Sequence, residues 1–411
     1  MPFTGVSAMD RKQEFVRLAQ AEGANRRELC RRYGASPTLG YRLLDRYRAE
    51  GLAGLEERSR RPLTSPRRTS DEVEAAVLAV RAEHPAWGGR KIAAVLRRRG
   101  LAAPAPSTIT AILRRHGVEL GAFGGGEASF IRFEHPAPND LWQMDFKGHV
   151  AMRSGRLHPL TVLDDHSRFC VVLAACDNEK TQTVKGHLTE AFERYGLPWR
   201  MTMDNGSPWG NGPGDPFTPL GVWLIEQDIG IGHSRPYHPQ TQGKDERFHR
   251  TLKAEALAGQ PLHDIGHAAR HLDRWRGIYN TERPHEALGM QTPIDRYAAS
   301  PRAYRPIVEP FDYGPDDQTR RVPSDTRISF KGQRWRVPKA FKGKLVAVRT
   351  TDTDGLYDVV FRTHHIAAID LRGQTRQSQS VTDVPEQVSP MSPVRTAAQG
   401  RKRRLSSRGH P

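Results

Sequence analysis

The chain has 411 residues, long enough for two to four domains, and its 63 Lys and Arg against 46 Asp and Glu give a formal net charge of +17. That excess is typical of proteins that bind a polyanion, although simple solubility or a coding bias towards arginine gives the same composition. The cysteines Cys30, Cys170 and Cys176 have neither metal-ligand spacing nor an even disulfide framework, and no apolar run approaches the ~18 residues of a membrane span. A disulfide scaffold and a membrane-spanning protein are therefore excluded, and we expect a cytoplasmic protein.

The N-terminal segment is predicted to be a helix-turn-helix. Three helices are expected, at residues 11–22, 26–33 and 37–48. Asn25 can cap the second helix, Pro37 is tolerated in the first turn of the third, and a glycine-containing turn joins the two. Such a motif places its last helix in the major groove of DNA, where the candidate contacts are Thr38, Tyr41 and Arg42. The alternative is an ordinary three-helix bundle, because the motif is short and degenerate.

A second helical module is predicted after a basic, proline-rich stretch at residues 51–69, which is either a linker that follows DNA phosphates or a solvated connector. The module begins with a helix capped by Ser70 or Asp71. Its next helix opens with the sequence Trp-Gly-Gly-Arg-Lys-Ile at 87–92, and a third helix is capped by Ser107. The candidate DNA contacts of the module are Arg90 and Lys91.

Residues 139–300 follow a glycine-rich joint and are predicted to be an α/β domain. The expected elements are strands 141–150, 157–164 and 167–175, helix 180–195, strand 199–204, helix 217–228, strand 230–234 and helix 243–258. Three strands followed by alternating helices and strands fit the ribonuclease-H-like α/β fold.

Three carboxylates in this domain call for an explanation. Asp145 lies in an apolar strand, where Asp is depleted, and Asp204 follows a strand at an Asn-Gly turn. On the last helix, Glu246 shares a face with Arg250 and Lys253, which on its own indicates a solvated ion-pair partner. Three carboxylates converging at ~4 Å would repel by roughly 4 kcal/mol per pair at an effective dielectric near 20. They stay charged together around cations that prefer oxygen ligands, such as Mg²⁺ or Mn²⁺.

Other polar residues of the domain are assigned from their neighbourhood. The candidate DNA contacts around the three acids are Asn205, Tyr237, Gln240, Lys244, Arg250 and Lys253. Asp164 and Asp165 lie at a predicted hairpin, where Asp and Ser form turns, and we expect them to be structural.

The C-terminal region is predicted to be a small β-barrel. A proline-rich linker at 301–318 precedes it, and alternating apolar residues from Arg320 to Leu371 indicate five strands. From about residue 373 the chain is rich in Gln, Ser and Pro and ends in a basic run, so we expect a disordered tail.

The three acids and their surroundings resemble the Asp-Asp-Glu (DDE) triad of insertion-sequence transposases with a retroviral-integrase-like core. The resemblance covers about residues 1–300. It is carried by Trp142-Gln-Met-Asp145, by Asp204-Asn205-Gly206, by the stretch 238–253 that surrounds Glu246 and ends at Lys253, and by the stretch 279–297 with Arg283-Pro-His285 and Thr292-Pro293. Two departures stand out. The 41 residues between Asp204 and Glu246 (205–245) exceed the spacing in many relatives, and the N-terminal zinc module of retroviral integrases is missing.

The sequence patterns and the resemblance together predict a multidomain architecture. Its parts are a helix-turn-helix at 1–62, a second one at 63–120, a linker at 121–138, a ribonuclease-H-like catalytic core at 139–300, a linker at 301–318, the small β-barrel at 319–372 and the basic tail at 373–411. For the β-barrel it implies a role in DNA binding or assembly, with a purely stabilising appendage as the alternative.

The implied activity is that of a DNA transposase. Asp145, Asp204 and Glu246 would be catalytic and would hold two Mg²⁺ ions, with Mn²⁺ as a substitute. The enzyme would cut at the ends of a transposable element and transfer the freed 3′-hydroxyl into target DNA. Double-stranded DNA is the expected partner, and the protein is expected to act as a dimer or larger homo-oligomer in the bacterial cytosol or nucleoid. The alternatives are a nuclease of the same fold that does not join DNA and a catalytically decayed DNA-binding regulator.

Overall fold

The computed structural model describes residues 7–58, 68–119, 134–211, 215–233 and 243–372, and the chain divides into two units, Met1–Arg68 and Thr69–Pro411. The first unit contains helices α1 (Ala8–Ala19), α2 (Arg26–Arg32) and α3 (Pro37–Glu50). Their N-caps Ser7, Asn25 and Ser36 each accept a hydrogen bond from a backbone N–H of the first turn. The predicted helix–turn–helix order is therefore present.

A glycine sets the packing of α3 on the other two helices. A Cβ on Gly40 would lie 2.4 Å from Cys30 Sγ and 2.9 Å from the Phe15 ring, so a larger residue does not fit there. Phe15, Leu44 and Leu55 are each at most 2% exposed and form the centre of this small core.

The second unit begins with another three-helix module, α4 (Asp71–Glu83), α5 (Gly89–Arg98) and α6 (Pro106–Arg115). Trp87 and the apolar faces of α5 and α6 fill its core. Here too a glycine allows close approach, because a Cβ on Gly89 would lie 2.4 Å from the carbonyl oxygen of Pro106 at the start of α6.

We expect the substitution Gly89→Ala to destabilise the module by about 1–3 kcal/mol, because the added methyl group meets rigid backbone and forces α5 and α6 apart. Gly88→Ala is the matched control, since a Cβ at that position meets no atom within 4 Å. Thermal unfolding followed by circular dichroism measures both. An equal loss of stability in the two variants would contradict the packing argument.

A six-stranded sheet forms the centre of the second unit. Its strands are β1 (Trp142–Phe146), β2 (Val150–Ala151), β3 (Arg156–Asp164), β4 (Cys170–Cys176), β5 (Arg200–Met203) and β6 (Gly230–His233). The order is β2–β3–β1–β5–β6, with β4 also paired to β3. The first strands pair antiparallel, whereas β5 joins β1 in parallel and β6 joins β5 in parallel.

Helices cover both faces of this sheet. On one face lie α7 (Thr181–Tyr195) and α8 (Pro219–Glu226), which pack on Trp142, Leu160 and Val162. On the other lie α9 (Gly243–Leu252), a π-helical turn at Lys253–Leu257, and α10 (Ile265–Thr281). Antiparallel strands followed by parallel strand–helix units, with helices on both faces, confirm the predicted ribonuclease-H-like core.

The C-terminal region differs from the predicted β-barrel. Its strands are β7 (Gln318–Arg321), β8 (Arg327–Phe330), β9 (Gln333–Arg336), β10 (Leu345–Thr350), β11 (Leu356–Phe361) and β12 (His364–Asp370). In the described residues they form a four-stranded sheet, β12–β11–β10–β7, and a separate hairpin, β8–β9, and neither sheet closes on itself. Pro323 and Pro338 flank the hairpin and cannot donate to a strand ladder, which explains the break.

The apolar face of the open sheet is covered instead by the central α/β domain. Phe217, Val222 and Ile225, in and before α8, are buried in the same cluster as the inward residues of the C-terminal strands. Lys344 also pairs with Glu226 at the end of α8. Closure of the sheet is not required to bury this surface. Among the described helices, none combines the length and hydrophobicity that crossing a membrane requires.

Candidate active site

Two of the three predicted catalytic acids lie side by side at one edge of the central sheet. Strand β1 pairs in parallel with β5, with Gln143 opposite Thr202. Continuing that register by two residues places Asp145 opposite Asp204, which directly follows the last residue of β5. The Asp204 carboxylate accepts a hydrogen bond of 3.0 Å from the backbone N–H of Gly206, so the Asn-Gly turn holds it in place.

The two carboxylates repel each other in the absence of a cation. Burial and, next, the charge of Asp204 raise the pKa of Asp145 to about 7. Burial also raises the pKa of Asp204, and the charge of Glu179 acts on both groups in the same direction. Glu179, held by a 2.8 Å contact with His158 Nδ1, was not predicted, since it lies in the loop before α7 with no motif around it.

Helix α9 is attached to this pair through His249. Its Nε2 lies 3.0 Å from Thr161 Oγ1, and the Thr161 hydroxyl donates at 2.9 Å to the backbone oxygen of Asp145. Because that hydroxyl has one proton, its oxygen accepts from His249 Nε2–H, which leaves Nδ1 unprotonated, 3.9 Å from Asp145 Oδ2. Burial lowers the pKa of His249 to about 4, in agreement with a neutral ring.

Glu246 is not gathered with the other two acids. It lies one helical turn before His249 on α9, yet it is exposed, and its side chain forms no hydrogen bond or ion pair within the described part of the chain. The neighbouring Asp245 is buried instead, and burial, followed by the charge of Asp145, raises its pKa well above the ordinary value. Within the described ranges no group of three or more His, Cys, Asp and Glu side chains is arranged to hold a metal ion.

Asp164 and Asp165 are buried in hydrogen-bond networks. Asp164 accepts from the backbone N–H groups of Asn139 and Ser167 at 2.7 and 2.8 Å. Asp165 accepts from the backbone of His135, from the Gln143 side chain and from Lys244. Both carboxylates fix the turn between β3 and β4 to the start of β1, as structural residues do.

The predicted DNA contacts are placed in different ways. Exposed side chains are found at Thr38, Tyr41 and Arg42 on α3 and at Arg250 and Lys253 around the end of α9. Asn205 is half-buried beside Asp204. Tyr237 and Gln240 lie outside the described residues.

Three cations predicted to touch DNA are engaged within the protein. Lys244 pairs with the buried Asp165. Arg90 Nη1 lies 3.5 Å from Glu286, and Lys91 Nζ lies 3.5 Å from Glu255, with the Lys91 side chain 19% exposed. In this arrangement the ammonium group of Lys91 faces the catalytic core, away from solvent.

We expect Asp164→Ala to lower the free energy of unfolding by about 2–4 kcal/mol, because it leaves two buried backbone donors without an acceptor. Asp145→Ala is the matched variant and should change stability by less than about 1 kcal/mol in chelator, since it also relieves repulsion with Asp204. Urea unfolding measures both values. A loss at Asp145 as large as that at Asp164 would show that Asp145 is a structural residue.

Family models match the same parts of the chain. Two integrase core domain models match residues 135–239 and 227–293. The model of the IS481 family transposase C-terminal domain matches 317–377. A helix-turn-helix domain model matches 11–62, and a homeodomain-like domain model matches 40–113. Together with the insertion-element relatives, these matches support the resemblance to insertion-sequence DDE transposases.

Curated relatives of this chain include proteins of insertion elements. It is 26% identical over 167 residues to the insertion element IS407 uncharacterized 31.7 kDa protein of Burkholderia multivorans, which covers 41% of this chain and 58% of the relative. It is 29% identical to the insertion element IS476 uncharacterized 39.2 kDa protein of Xanthomonas euvesicatoria, over 40% of this chain and 46% of the relative. The chain thus spans about half the length of these relatives.

Retroviral proteins are also similar. The Gag-Pro-Pol polyprotein of mouse mammary tumor virus is 32% identical over 138 residues, which are 32% of this chain and 7% of the polyprotein. Among solved structures, the HTLV-2 integrase catalytic core domain in complex with magnesium has 14% identity and a TM-score of 0.31, over 39% of this chain and 97% of that one. The simian T-cell lymphotropic virus intasome has 15% identity and a TM-score of 0.35, over 72% and 100%.

Proposed function

We propose that the protein is a DNA transposase that cuts DNA at the ends of a transposable element and joins the freed 3′-hydroxyl to target DNA. Asp145, Asp204 and Glu246 are its catalytic carboxylates. The observation that carries this proposal is the register of β1 and β5, which sets Asp145 opposite Asp204 beside the helix that bears Glu246.

The donor set is compatible with divalent cations. Asp145 and Asp204 offer only carboxylate oxygens, the ligands that Mg²⁺ and Mn²⁺ prefer, and the repulsion between them is relieved by a cation. Glu246 would complete the set from the first turn of α9, where its side chain has no hydrogen-bond or ion-pair partner among the described residues. Two bound ions supply Lewis-acid activation of the attacking and leaving oxygens of a phosphodiester.

The surrounding residues position these acids. Thr161 and His249 fix the backbone of Asp145 and tie α9 to the sheet, and Glu246 lies one helical turn before His249 on that helix. Asp245 and Phe248 are buried, so another side of α9 packs against the protein while Glu246 stays exposed. Because His249 is neutral and its Nδ1 lacks a proton, it adds no positive charge that would compete with a cation at Asp145.

DNA is held by separate parts of the chain. The helix-turn-helix modules at 1–62 and 63–120 read the terminal repeats, with α3 contributing Thr38, Tyr41 and Arg42. Arg250 and Lys253 hold phosphates beside the catalytic core at 139–300. The regions 121–138 and 301–318 connect these domains, and the region 319–372 and the tail 373–411 complete the chain. Coordinated cutting of two ends requires at least a dimer on DNA.

Asp145→Asn, Asp204→Asn and Glu246→Gln should each reduce cutting by ~10³-fold while DNA binding is retained, because each removes a carboxylate from the reacting centre. The substrate is a 5′-labelled duplex copied from the DNA that flanks the gene, tested with Mg²⁺, Mn²⁺ or chelator. Asp215→Asn is the matched control, since the Asp215 carboxylate accepts a hydrogen bond from Asn211 and is not one of the three acids. If the Glu246→Gln protein cut DNA at the wild-type rate, Glu246 would not be a catalytic residue.

The products distinguish the transposase from a nuclease of the same fold. If the protein joins DNA, labelled ends appear covalently attached to an unlabelled target plasmid. Cleaved ends without joined product would indicate a nuclease. DNA binding without cleavage in the presence of any of the metals would indicate a DNA-binding regulator.

We expect Lys253→Ala to weaken DNA binding by a similar factor on all sequences and to reduce the slope of log K against log salt by about 0.9, because one phosphate contact is lost. Lys253→Arg keeps the charge and should keep the slope. Fluorescence anisotropy at several salt concentrations measures both. An unchanged slope in Lys253→Ala would place Lys253 outside the DNA path.

A further inference from the structure

A buried ion cluster joins the second helical module to the catalytic core. At its centre is Glu255, whose side chain is 8% exposed. Both of its carboxylate oxygens lie 3.0 Å from Arg283 Nε, and one lies 3.5 Å from Lys91 Nζ of α5. Removal of either cation from Glu255 requires the module to move away or the charges to separate in a buried position, which is unfavourable.

A second contact fixes the same helix at its other end. Arg98 donates two parallel hydrogen bonds to Asp295, of 2.8 and 2.7 Å, and a third of 3.0 Å to Thr292 Oγ1. Asp295 is itself held by the backbone N–H of Thr292, so the fork is attached to a rigid turn. Helix α5 is thus held at Lys91 and at Arg98, nearly two turns apart, and Ile278 of α10 packs against the apolar core of the module.

These contacts leave one face of another helix of the module exposed to solvent. Helix α6 presents Ser107, Ala111 and Arg114 to solvent, at the spacing i, i+4, i+7 that defines one helical face. This face has small polar and basic groups suited to the major groove, whereas the cations of α5 at Lys91 and Arg98 are paired with the core.

The anchor lies on the chain segment that carries the third acid. Glu255 belongs to the π-helical turn Lys253–Leu257, which directly follows α9. The module is therefore attached to the same continuous segment as Glu246 and His249, and a displacement of α9 would be transmitted to it.

We propose that Lys91, Arg98, Glu255, Arg283 and Asp295 are positioning residues that lock the module at a fixed distance from the catalytic carboxylates, so that α6 sets which phosphodiester is cut. The inference rests on the proposed function. Arg90 and Lys91 then serve the internal interface, and sequence reading in this module passes to Ser107, Ala111 and Arg114.

The test measures the position of the cut at single-nucleotide resolution on the labelled duplex used above. Arg90→Met/Arg98→Met weakens the interface without disturbing the buried cluster, and Arg97→Met is the matched control, since Arg97 is exposed on the same helix and forms no ion pair with a described residue. We expect at least a tenfold loss of cutting at the wild-type phosphodiester, with cuts spread over neighbouring positions. The DNA affinity of the double variant should equal that of the control within twofold.

A cross-link provides the converse test. Arg90→Cys/Glu286→Cys places one thiol on each side of the interface, in place of two side chains whose ends meet at 3.5 Å, and Cys30, Cys170 and Cys176 are buried. Bridging the pair with a short bismaleimide should leave both the rate and the position of cutting unchanged.

The outcomes separate the inference from the function on which it rests. If the wild-type protein cuts no DNA end, the proposed function fails. If the wild type cuts and the double variant retains the rate and position of the Arg97→Met control, or if the bridged protein stops cutting, the fixed-distance inference is overturned while the transposase assignment stands.

Discussion

The parallel pairing of β1 with β5 is the constraint on which the site depends. The two strands are about 60 residues apart in sequence and come from different halves of the domain, yet a two-residue ladder brings Asp145 and Asp204 to one edge. Hydrogen bonds to the turn after Asp204 and to the backbone of Asp145 hold the geometry. Two partly buried carboxylates destabilise the fold through repulsion and loss of hydration. The burial of apolar strand residues on both faces of the sheet offsets this unfavourable free energy.

Much of this arrangement could be predicted from the sequence because it follows from local patterns. An Asp in an apolar strand and an Asp at an Asn-Gly turn are unusual enough to indicate function, and the order of strands and helices defines the core. The burial of Asp245 also follows from a local pattern in the sequence. Helical spacing sets Glu246 opposite Phe248 and Leu252. Asp245 lies three residues before Phe248, so it falls on the same side of α9 as these two apolar residues.

Other features depend on contacts that no local pattern encodes. The alternation of apolar residues after Arg320 correctly indicates strands, but it cannot show that α8 would cover the sheet and make closure into a β-barrel unnecessary. In the same way, the basic side chains of α5 have the composition of a DNA-binding surface. Only the proximity of Glu255 and Asp295, more than 150 residues later, shows that Lys91 and Arg98 face protein.

Helix α8 packs against both the C-terminal sheet and the core. Phe217, Val222 and Ile225 face the sheet, while Leu220 and Leu224 of the same helix face the central sheet of the core. A protein that lacked the last strands would therefore expose the apolar face of α8 and would tend to self-associate. The C-terminal strands are therefore needed to cover this side of α8, whatever else they contact.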